Sequence, residues 1–503
     1  MTDKPNIIYI FSDQHRGDTL GSVGHPVIQT PNLDKLASEG VNFTRCSTSS
    51  PLCMPARASM MSGQYVCQHG VWNNDLEADP DGPSHVRNIR DAGYHTALIG
   101  KTHLWIHGAA NTGIHTKEKE EVIKRWGFED IHELTGPIAS MRTDSPYTDY
   151  LEEKGLLETH RQYMLDYWKG WASGEAKPWE ELPSPLSKED HLDGYTGRKA
   201  VEWINGYEGD KPFYLQVLFP GPHDPFDSLA EHRAMYKPED MPVGIMDWPK
   251  EPLPPYVNMV LNWSGLKGMT PEQKQILRTF YYAKITLIDE YIGLIVKALE
   301  EKNMLDNTWI IYNSDHGEML GDHMMSHKIV FYDGALNIPC VFRPPKGVES
   351  WQSEALTDHL DITASLIDIA GARPLEESDG QSLIPKIQEG PDGVNAQKGK
   401  EVVFSEVYGC SMAFDGRYKM TIFSGTQEPV ELFDLENDPD ELTNLANDPA
   451  LESVRQEFLD KHFSNLSSRI DQDRYNIFRQ MLKDRTKKGK GPKWAKGISF
   501  IKD

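Results

Sequence analysis

Four short apolar runs, each followed at once by polar residues, set the pattern of hydrophobic and polar positions along the chain. They are Ile7–Phe11, His95–Ile99, Phe213–Phe219 and Trp309–Tyr312. Their length and their content of Ile, Val, Tyr and Phe are typical of buried strands in a mostly parallel sheet. Because the carboxyl ends of parallel strands meet at one edge of a sheet, we expect the polar residues after each run to converge there.

Helical patterns lie between these runs. The clearest begins at Thr270-Pro271-Glu272-Gln273, with Thr as N-cap, Pro at the first helical position and Gln three residues after the cap. Apolar residues at Ile276, Phe280, Ile288 and Leu299 continue it at helical spacing. Strands that alternate with helices predict an α/β fold, with a large, mostly parallel mixed sheet flanked by helices.

The pattern changes near residue 396. Three short apolar segments, Val402–Phe404, Tyr418–Phe423 and Glu431–Phe433, are separated by Gly and Asp turns and predict a small antiparallel sheet. A polar helix from about residue 449 to residue 463 is expected to pack on that sheet. The sequence therefore predicts a second, smaller unit after the α/β layer.

We predict two domains: a catalytic α/β domain over residues 1–395 and a small α+β subdomain over residues 396–503. The lysine-rich stretch Lys483–Asp503 is predicted to be an extended tail, which either reaches a neighbouring subunit of a homo-oligomer or stays solvated. Residues 111–193 have weak periodicity and are predicted to form an insertion that bounds the substrate pocket.

Charge and composition narrow the classes of function. The 503 residues carry a formal net charge of −24, which argues against nucleic-acid binding, because such binding needs lysine and arginine against phosphates. No apolar run is long enough to span a membrane, and no secretory leader is visible. Five cysteines do not suggest a disulfide framework in a chain of this size, so a cytoplasmic location is expected.

Two acidic residues after strands predict a metal site. Asp13 and Asp315 each follow a Ser at the end of a predicted strand, with Gln14 and His316 beside them. Carboxylate and amide oxygens suit Ca²⁺, Mg²⁺ or Mn²⁺, and the imidazole favours an ion that tolerates nitrogen. A single Asp after a strand is more often a turn or cap residue. Two aspartates, each followed by a second side chain that can bind a metal, favour a metal site over a role in a turn.

The run Cys53-Met-Pro-Ala-Arg57 has the form C-x-P-x-R, the recognition core for enzymes that oxidise cysteine to formylglycine. Asp13, Gly100–His103 and Ser314–Gly317 accompany it in a fixed order. With these motifs the chain resembles the sulfatase family of the alkaline-phosphatase superfamily. The resemblance extends from the first strand to Leu432–Asp438, a segment typical of the family's small C-terminal domain.

The resemblance implies an alkaline-phosphatase-like fold and a sulfuric ester hydrolase that acts on a small-molecule sulfate ester. It implies that a formylglycine-generating enzyme modifies Cys53, and that one hydroxyl of the hydrated aldehyde attacks sulfur while the other allows sulfate to leave. It also implies one divalent ion, with Ca²⁺ favoured over Mn²⁺ and Mg²⁺. The implied metal ligands are Asp13, Gln14, Cys53, Asp315 and His316.

The resemblance assigns catalysis to Cys53, Arg57, Lys101, His103, His223 and Lys328. Arg57 would hold residue 53 and the metal ligands in place, while Lys101 and Lys328 would contact sulfate oxygens. His103 would take a proton from the hydrated aldehyde, and His223 would lie beside the leaving oxygen. The implied substrate-binding residues are Asn74, Lys101, His223 and Lys328, and for Asn74 a role in a turn is equally open.

Three other functions compete with this interpretation. A phosphonate monoester or phosphodiester hydrolase of the same superfamily is favoured by Ser314–His323 and Lys328, whereas the pair Lys101 and His103 favours a sulfatase. A cysteine hydrolase that uses the Cys53 thiol would leave the metal residues unexplained, and a non-catalytic metal-binding protein would not need the full reactive set. Aryl, choline, alkyl and carbohydrate sulfates all stay open as substrates.

Overall fold

A computed structural model describes residues 4–108, 112–250, 253–264 and 266–487. Its centre is an eight-stranded sheet in the order β10-β2-β9-β7-β1-β6-β4-β5. These strands are β1 (Asn6–Asp13), β2 (Val41–Phe43), β4 (His95–Gly100), β5 (Asp130–Glu133), β6 (Phe213–Pro222), β7 (Thr308–Ser314), β9 (Cys340–Arg343) and β10 (Trp351–Ser353). Only β9 runs antiparallel to its neighbours, so the predicted mixed, mostly parallel sheet is confirmed.

Helices cover both faces of this sheet. The helices of this part of the chain are α1 (Pro31–Ser38), α2 (Cys53–Ser62), α3 (Val66–His69), α4 (His85–Asp91), α5 (Glu120–Arg125), α6 (Pro146–Glu153), α7 (Leu157–Ser173), α8 (Leu192–Gly206), α9 (Ala230–Arg233), α10 (Pro255–Ser264), α11 (Pro271–Glu301), α12 (Asp333–Leu336), α13 (His359–Ala370) and α14 (Ile384–Glu389). The predicted cap of α11 is confirmed, because the Thr270 hydroxyl accepts from the Gln273 N–H at 3.3 Å.

Alternation along β1 shows how the sheet is buried on both sides. Tyr9 and Phe11 belong to the core that includes Met54 of α2, whereas Ile8 and Ile10 belong to the core on the other face, with residues of α1, α8 and α11. Successive side chains of a strand point to opposite faces, so a continuous apolar run is buried twice. This double burial fixes the strand positions and therefore the polar residues at their ends.

The predicted insertion after β4 has regular structure of its own, and α2 before it begins at Cys53 itself. The predicted insertion contains β5, which forms the edge of the large sheet beside β4, together with α5, α6 and α7. Sequence periodicity missed β5 because it is four residues long and only its last residue is buried.

The C-terminal part contains a four-stranded antiparallel sheet of β12 (Val403–Val407), β13 (Cys410–Phe414), β14 (Tyr418–Phe423) and β15 (Glu428–Asp434). Helical segments follow, among them α15 (Glu452–Glu457), α16 (Ser464–Ser468) and α17 (Gln472–Lys487). The predicted small sheet with a helix is thus confirmed, and β13 is an addition. The boundary at residue 396 stays a prediction.

The tail beginning at Lys483 starts as the last turn of α17, not as an extended arm, and residues 488–503 lie outside the described part. A further small sheet joins β3 (Cys46–Ser47), β8 (Asn337–Ile338) and β11 (Thr357–Asp358). None of the described helices is both long and apolar enough to cross a membrane.

Candidate active site

Four strand ends meet at the carboxyl edge of the large sheet. Asp13 ends β1, and the two neighbours of β1 lead into His223 and Asp315. Lys101 follows β4, which pairs with β6. The polar residues after all four apolar runs therefore lie on one edge, as strand polarity predicts.

Four side chains from three segments form what we call the donor cluster. Ligand atoms of Asp13, Cys53, Asp315 and His316 all lie within 4.8 Å of one another, and all four residues are buried. The Cys53 Sγ is 3.2 Å from His316 Nε2 and 3.9 Å from Asp13 Oδ1. Two carboxylates and an imidazole suit a divalent ion. The donor cluster therefore fits the predicted metal.

Both carboxyl groups of the donor cluster are held in the ionised form. Burial alone would raise the pKa of Asp13, but the nearby cations Lys101 and Arg57 lower it well below its usual value. Burial and Asp13 act to raise the pKa of Asp315, and the cationic groups around it outweigh them. Metal ligands must be deprotonated, so the surrounding positive charge prepares these carboxylates for a cation.

The hydrogen bonds of His316 fix which of its nitrogens is free. Its Nδ1 lies 2.9 Å from the carbonyl oxygen of Gly317. A carbonyl only accepts, so Nδ1 carries the proton and Nε2 presents its lone pair toward Cys53. Burial lowers the pKa of His316, which keeps the ring in the neutral form that can bind a metal.

Arg57 joins three segments beneath the donor cluster. Its Nε donates to Oδ2 of Asp315 and its Nη2 to Oδ2 of Asp13, each at 2.9 Å. Its Nη1 donates to the backbone carbonyl of Lys101, and the guanidinium lies 4.8 Å from the centre of the Phe11 ring. The side chain is 3% exposed. This arrangement fits the predicted role of holding the metal ligands in place.

Two lysines place positive charge around the donor cluster. The Lys101 Nζ lies 2.5 Å from Oδ2 of Asp13. The Lys328 Nζ donates to the amide oxygen of Gln14 and to Nε2 of His223, the latter at 2.9 Å. Both lysines are buried, so their charges act in a medium of low dielectric. The structure thus brings Lys101 and Lys328 together with the predicted metal residues.

Gln14 occupies an unusual backbone position next to Asp13. Its φ of 71° lies in the left-handed region, and its N–H donates to Asp315 Oδ1 at 2.9 Å. Its side chain is held between the Lys328 ammonium and the carboxylate of Glu318. Metal binding by Gln14 stays a prediction. Glu318 was missed by sequence reasoning, although it lies inside the Ser314–His323 run.

His223 accepts from one neighbour and donates to another. Its Nδ1 is 2.7 Å from the Asp224 carbonyl oxygen, so Nδ1 carries the proton and Nε2 accepts from Lys328. Lys284 of α11 donates to the carbonyl oxygen of His223 at 3.0 Å and to Asp227 Oδ1 at 2.8 Å. Lys284 therefore anchors the loop of His223. The sequence feature that could have identified Lys284 is its position as a charged residue on the apolar face of the long helix α11.

His103 lies in a cluster that the sequence revealed only in part. Its ring stacks on His107 with centroids 5.0 Å apart, and among the described residues its Nδ1 has no hydrogen-bond partner. His107 Nε2 is 4.0 Å from Glu133 Oε1. Burial raises the pKa of Glu133 to about 7, against hydrogen bonds from Thr102 and Trp105. His107 and Glu133 were missed because β5 was missed.

Asn74 has a structural contact as well as a place at the pocket. Its Oδ1 accepts from the Met54 N–H at 3.0 Å, so it satisfies a free donor in the first turn of α2. It also lines a cleft of about 280 Å³. The other lining residues are Lys101, His103, His107, Gly108, Gly136, Pro137, Ile138, Ala139, Met141, Arg142, Trp168 and His223. Three of the predicted catalytic residues thus open onto one cleft.

Comparison with known proteins gives the family. The sulfatase family model matches residues 5–372, which is most of the chain. This chain belongs to the sulfatase family, a family of sulfuric ester hydrolases. The C-terminal model of N-sulphoglucosamine sulphohydrolase matches residues 321–469 of this sulfatase. The resemblance carried by the Cys53 motif and the strand-end residues is confirmed.

Individual relatives and solved structures agree with the family. The sulfatase is 30% identical to an arylsulfatase of Clostridium perfringens over 404 residues, 77% of this chain and 79% of that protein. It is 29% identical to a choline-sulfatase of Rhizobium meliloti over 451 residues, 86% of this chain and 81% of that one. A crystal structure of the phosphonate monoester hydrolase of Agrobacterium radiobacter superposes with a TM-score of 0.73 at 26% identity, covering 93% of this chain and 97% of that one. The alkaline-phosphatase-like fold is therefore confirmed.

Proposed function

We propose that this sulfatase hydrolyses sulfate monoesters, with residue 53 as nucleophile after oxidation of Cys53 to formylglycine. The observation that carries the proposal is the position of Cys53 within the donor cluster, next to His316 and Asp13. A structural cysteine would have no reason to lie among two ionised carboxylates and a neutral imidazole. The intact C-x-P-x-R run supplies the sequence that a formylglycine-generating enzyme would act on.

We propose Asp13, Asp315, His316 and residue 53 as ligands of one divalent ion, with Gln14 as a further oxygen ligand. Oxygen donors favour Ca²⁺ and leave Mg²⁺ as an alternative, while the nitrogen of His316 keeps Mn²⁺ as another. When bound, the ion would supply positive charge that stabilises the nucleophile and the sulfate oxygens.

The side chains around the donor cluster divide the remaining work. Lys101 and Lys328 are proposed to bind sulfate oxygens, because both ammonium groups already lie within hydrogen-bond distance of groups that surround residue 53. His103 is proposed to accept a proton from residue 53. His223 is proposed to act at the leaving oxygen, since its Nε2 lies next to the Lys328 ammonium that would bind sulfate. Both His103 and His223 line the cleft.

Maturation, assembly and location follow as further parts of the proposal. All five cysteines are free and buried, which is consistent with a reducing, cytoplasmic environment. A homo-oligomer is proposed with the residues from Lys483 onward as a candidate contact. Equal elution volumes of the full chain and a chain ending at residue 482 on a sizing column would remove that contact.

The experiment that tests the proposal combines two readouts on one preparation, made with a co-expressed formylglycine-generating enzyme. Mass spectrometry of the peptide containing residue 53 should give a mass lower by about 18 Da, as expected when CH₂–SH becomes an aldehyde. The same preparation should hydrolyse 4-nitrophenyl sulfate with added divalent metal. An unmodified Cys53 peptide together with full activity would overturn the proposed nucleophile.

A phosphonate monoester hydrolase is the second candidate function. The observation that favours it is the superposition on a protein of that activity over nearly its whole length. The pair Lys101 and His103 argues against it, because this pair favours a sulfatase and both residues line the cleft. Catalytic efficiencies on 4-nitrophenyl sulfate and 4-nitrophenyl phenylphosphonate decide between the two functions. We expect the sulfate ester to be preferred, and a large preference for the phosphonate would replace the proposal with this second function.

A further inference from the structure

The cleft beside the donor cluster has a composition opposite to that of the whole chain. The protein has 76 acidic and 52 basic residues. The lining of the cleft contains Lys101 and Arg142 and no acidic residue. A concave surface with one sign of charge raises the local concentration of ligands of the other sign. This inference rests on the proposed function, in which Lys101 binds the reacting sulfate. Of the two cationic residues of the lining, Arg142 therefore has no role assigned so far.

Arg142 is exposed at the cleft and is free to bind a ligand. In the part of the chain that the structure describes, no acidic side chain pairs with its guanidinium. The nearest acid in sequence, Asp144, is paired with Arg161 of α7 instead. The backbone of Arg142 is fixed, because its N–H donates to the Ala139 carbonyl at 3.0 Å and its carbonyl accepts from the Gly113 N–H at 2.8 Å. A fixed backbone with an unpaired guanidinium suits recognition of an anion.

An aromatic side chain lies in the same cleft. Trp168 of α7 is half-buried, and the lining of the cleft also includes the apolar side chains of Ile138 and Met141. An indole surface of this kind packs against the face of a sugar or aryl ring. The cleft of about 280 Å³ therefore offers a cation for the reacting sulfate, a surface for a ring and a second cation.

We propose that Arg142 binds a second anionic group of the substrate, so that the preferred substrates are sulfate monoesters on a ring that also carries a carboxylate or another sulfate. The planar guanidinium donates in the fork geometry that matches either anion. Arg142 is a specificity residue in this account. It touches the substrate away from the reacting sulfur and contributes mainly to binding.

Three aryl sulfates that differ in their second group test this inference: 4-sulfooxybenzoate, hydroquinone bis-sulfate and methyl 4-sulfooxybenzoate. Arg142→Gln should lower kcat/KM about tenfold for the two substrates with a second anion, mainly through KM, as expected for loss of one charge-assisted contact. The methyl ester should change less than twofold. Arg90→Gln, which removes a partly exposed arginine paired with Asp91, is the matched control and should leave kcat/KM for all three substrates unchanged.

Binding without turnover separates this inference from the proposed function. In a Cys53→Ala background, calorimetric titration with 4-sulfooxybenzoate and with hydroquinone bis-sulfate should show about tenfold weaker binding after Arg142→Gln. A response of only one of these ligands supports the inference and identifies the second anion. An equal loss on the methyl ester, or no loss on either ligand with two anions, overturns it. Failure of the converted, metal-loaded enzyme to hydrolyse any of the three esters overturns the proposed function instead.

Discussion

The donor cluster and the cleft beside it are built in opposite ways. The donor cluster lies at the ends of strands that are buried on both faces, and its carboxylates are paired with Arg57 and Lys101. The cleft is walled by residues of the insertion after β4, and it presents an exposed Arg142 and a half-buried Trp168. A fixed, desolvated centre suits chemistry, while an open wall on loops suits selection among substrates.

This difference explains why one fold can serve many sulfate esters. Changing a residue of the donor cluster disturbs charges that compensate one another in a medium of low dielectric. Changing a residue of the cleft wall affects only contacts with the substrate. We therefore expect substitutions in the donor cluster to alter rate or stability strongly, and substitutions in the cleft to alter affinity moderately.

The largest expected effect lies at residue 53. Cys53→Ala should lower kcat on 4-nitrophenyl sulfate by roughly 10⁴-fold or more, since removal of a nucleophile leaves only binding and charge stabilisation. Cys410→Ala in the C-terminal sheet, which removes an equally buried thiol, is the control and should retain most activity. Comparable losses in both variants would show that cysteine burial, not chemistry, matters at residue 53.

Arg57→Met tests whether the donor cluster depends on charge compensation. It removes the guanidinium and leaves Asp13 and Asp315 with an uncompensated buried charge, so the free energy of unfolding of the metal-free protein should fall by about 3–5 kcal/mol. Urea titration measures this change. The control is Arg417→Met, whose side chain is 46% exposed in its pair with Asp434, and its free energy of unfolding should stay close to that of the wild type. Equal stabilities of the two variants would remove the distinction between buried and open regions.

Lys101 lies where the two regions meet. Lys101→Met should lower kcat about 10²–10³-fold, because an ammonium group that stabilises developing charge on sulfate oxygens is lost. Steady-state kinetics on 4-nitrophenyl sulfate measures it. Lys124→Met on the exposed face of α5, where the lysine pairs with Glu120 and Glu121, should have no effect on kcat. A change confined to KM in Lys101→Met would place Lys101 in ground-state binding alone.

Glu133 should make the stability of the protein depend on pH. Burial raises the pKa of Glu133 from 4.5 to about 7, so the folded state binds a proton more tightly than the unfolded state. The associated stability is present below pH 4.5 and is lost as the pH rises through 7, by about 3 kcal/mol in all. Glu133→Gln abolishes this loss. Urea titrations should show that the free energy of unfolding of the variant rises relative to that of the wild type between pH 5 and pH 8.

The exposed Glu202→Gln is the control for that measurement. This variant replaces a glutamate on the surface of α8, and it should not show the gain in stability relative to the wild type that is expected of Glu133→Gln. If the stability difference between Glu133→Gln and the wild type also stays constant from pH 5 to pH 8, burial of Glu133 does not govern the pH dependence of stability.

The strand ends and the donor cluster could be predicted from the sequence because local signals and chain polarity agree there. Asp13 and Asp315 follow unbroken apolar runs, and parallel strands must place such residues on one edge. The C-x-P-x-R run added Cys53 and Arg57. The capping signal at Thr270 fixed the start of α11 for the same reason, since the cap is a contact between residues three apart.

The partners behind these residues could not be predicted, because their roles depend on contacts far apart in sequence. Glu133 approaches His107 only through β5, which is too short to give a periodic signal. Lys284 reaches the carbonyl of His223 across 61 residues, and Glu318 reaches Gln14 across 304. A lysine or glutamate of this kind looks like an ordinary charged residue until the fold places it against an unpaired backbone or amide group.

The most direct test of the account is a crystal structure of the converted protein loaded with Mn²⁺, with anomalous scattering recorded for the metal. We expect one strong anomalous peak bonded to Asp13, Asp315, His316 and the modified residue 53. A peak elsewhere, or residue 53 turned away from an occupied site, would contradict it.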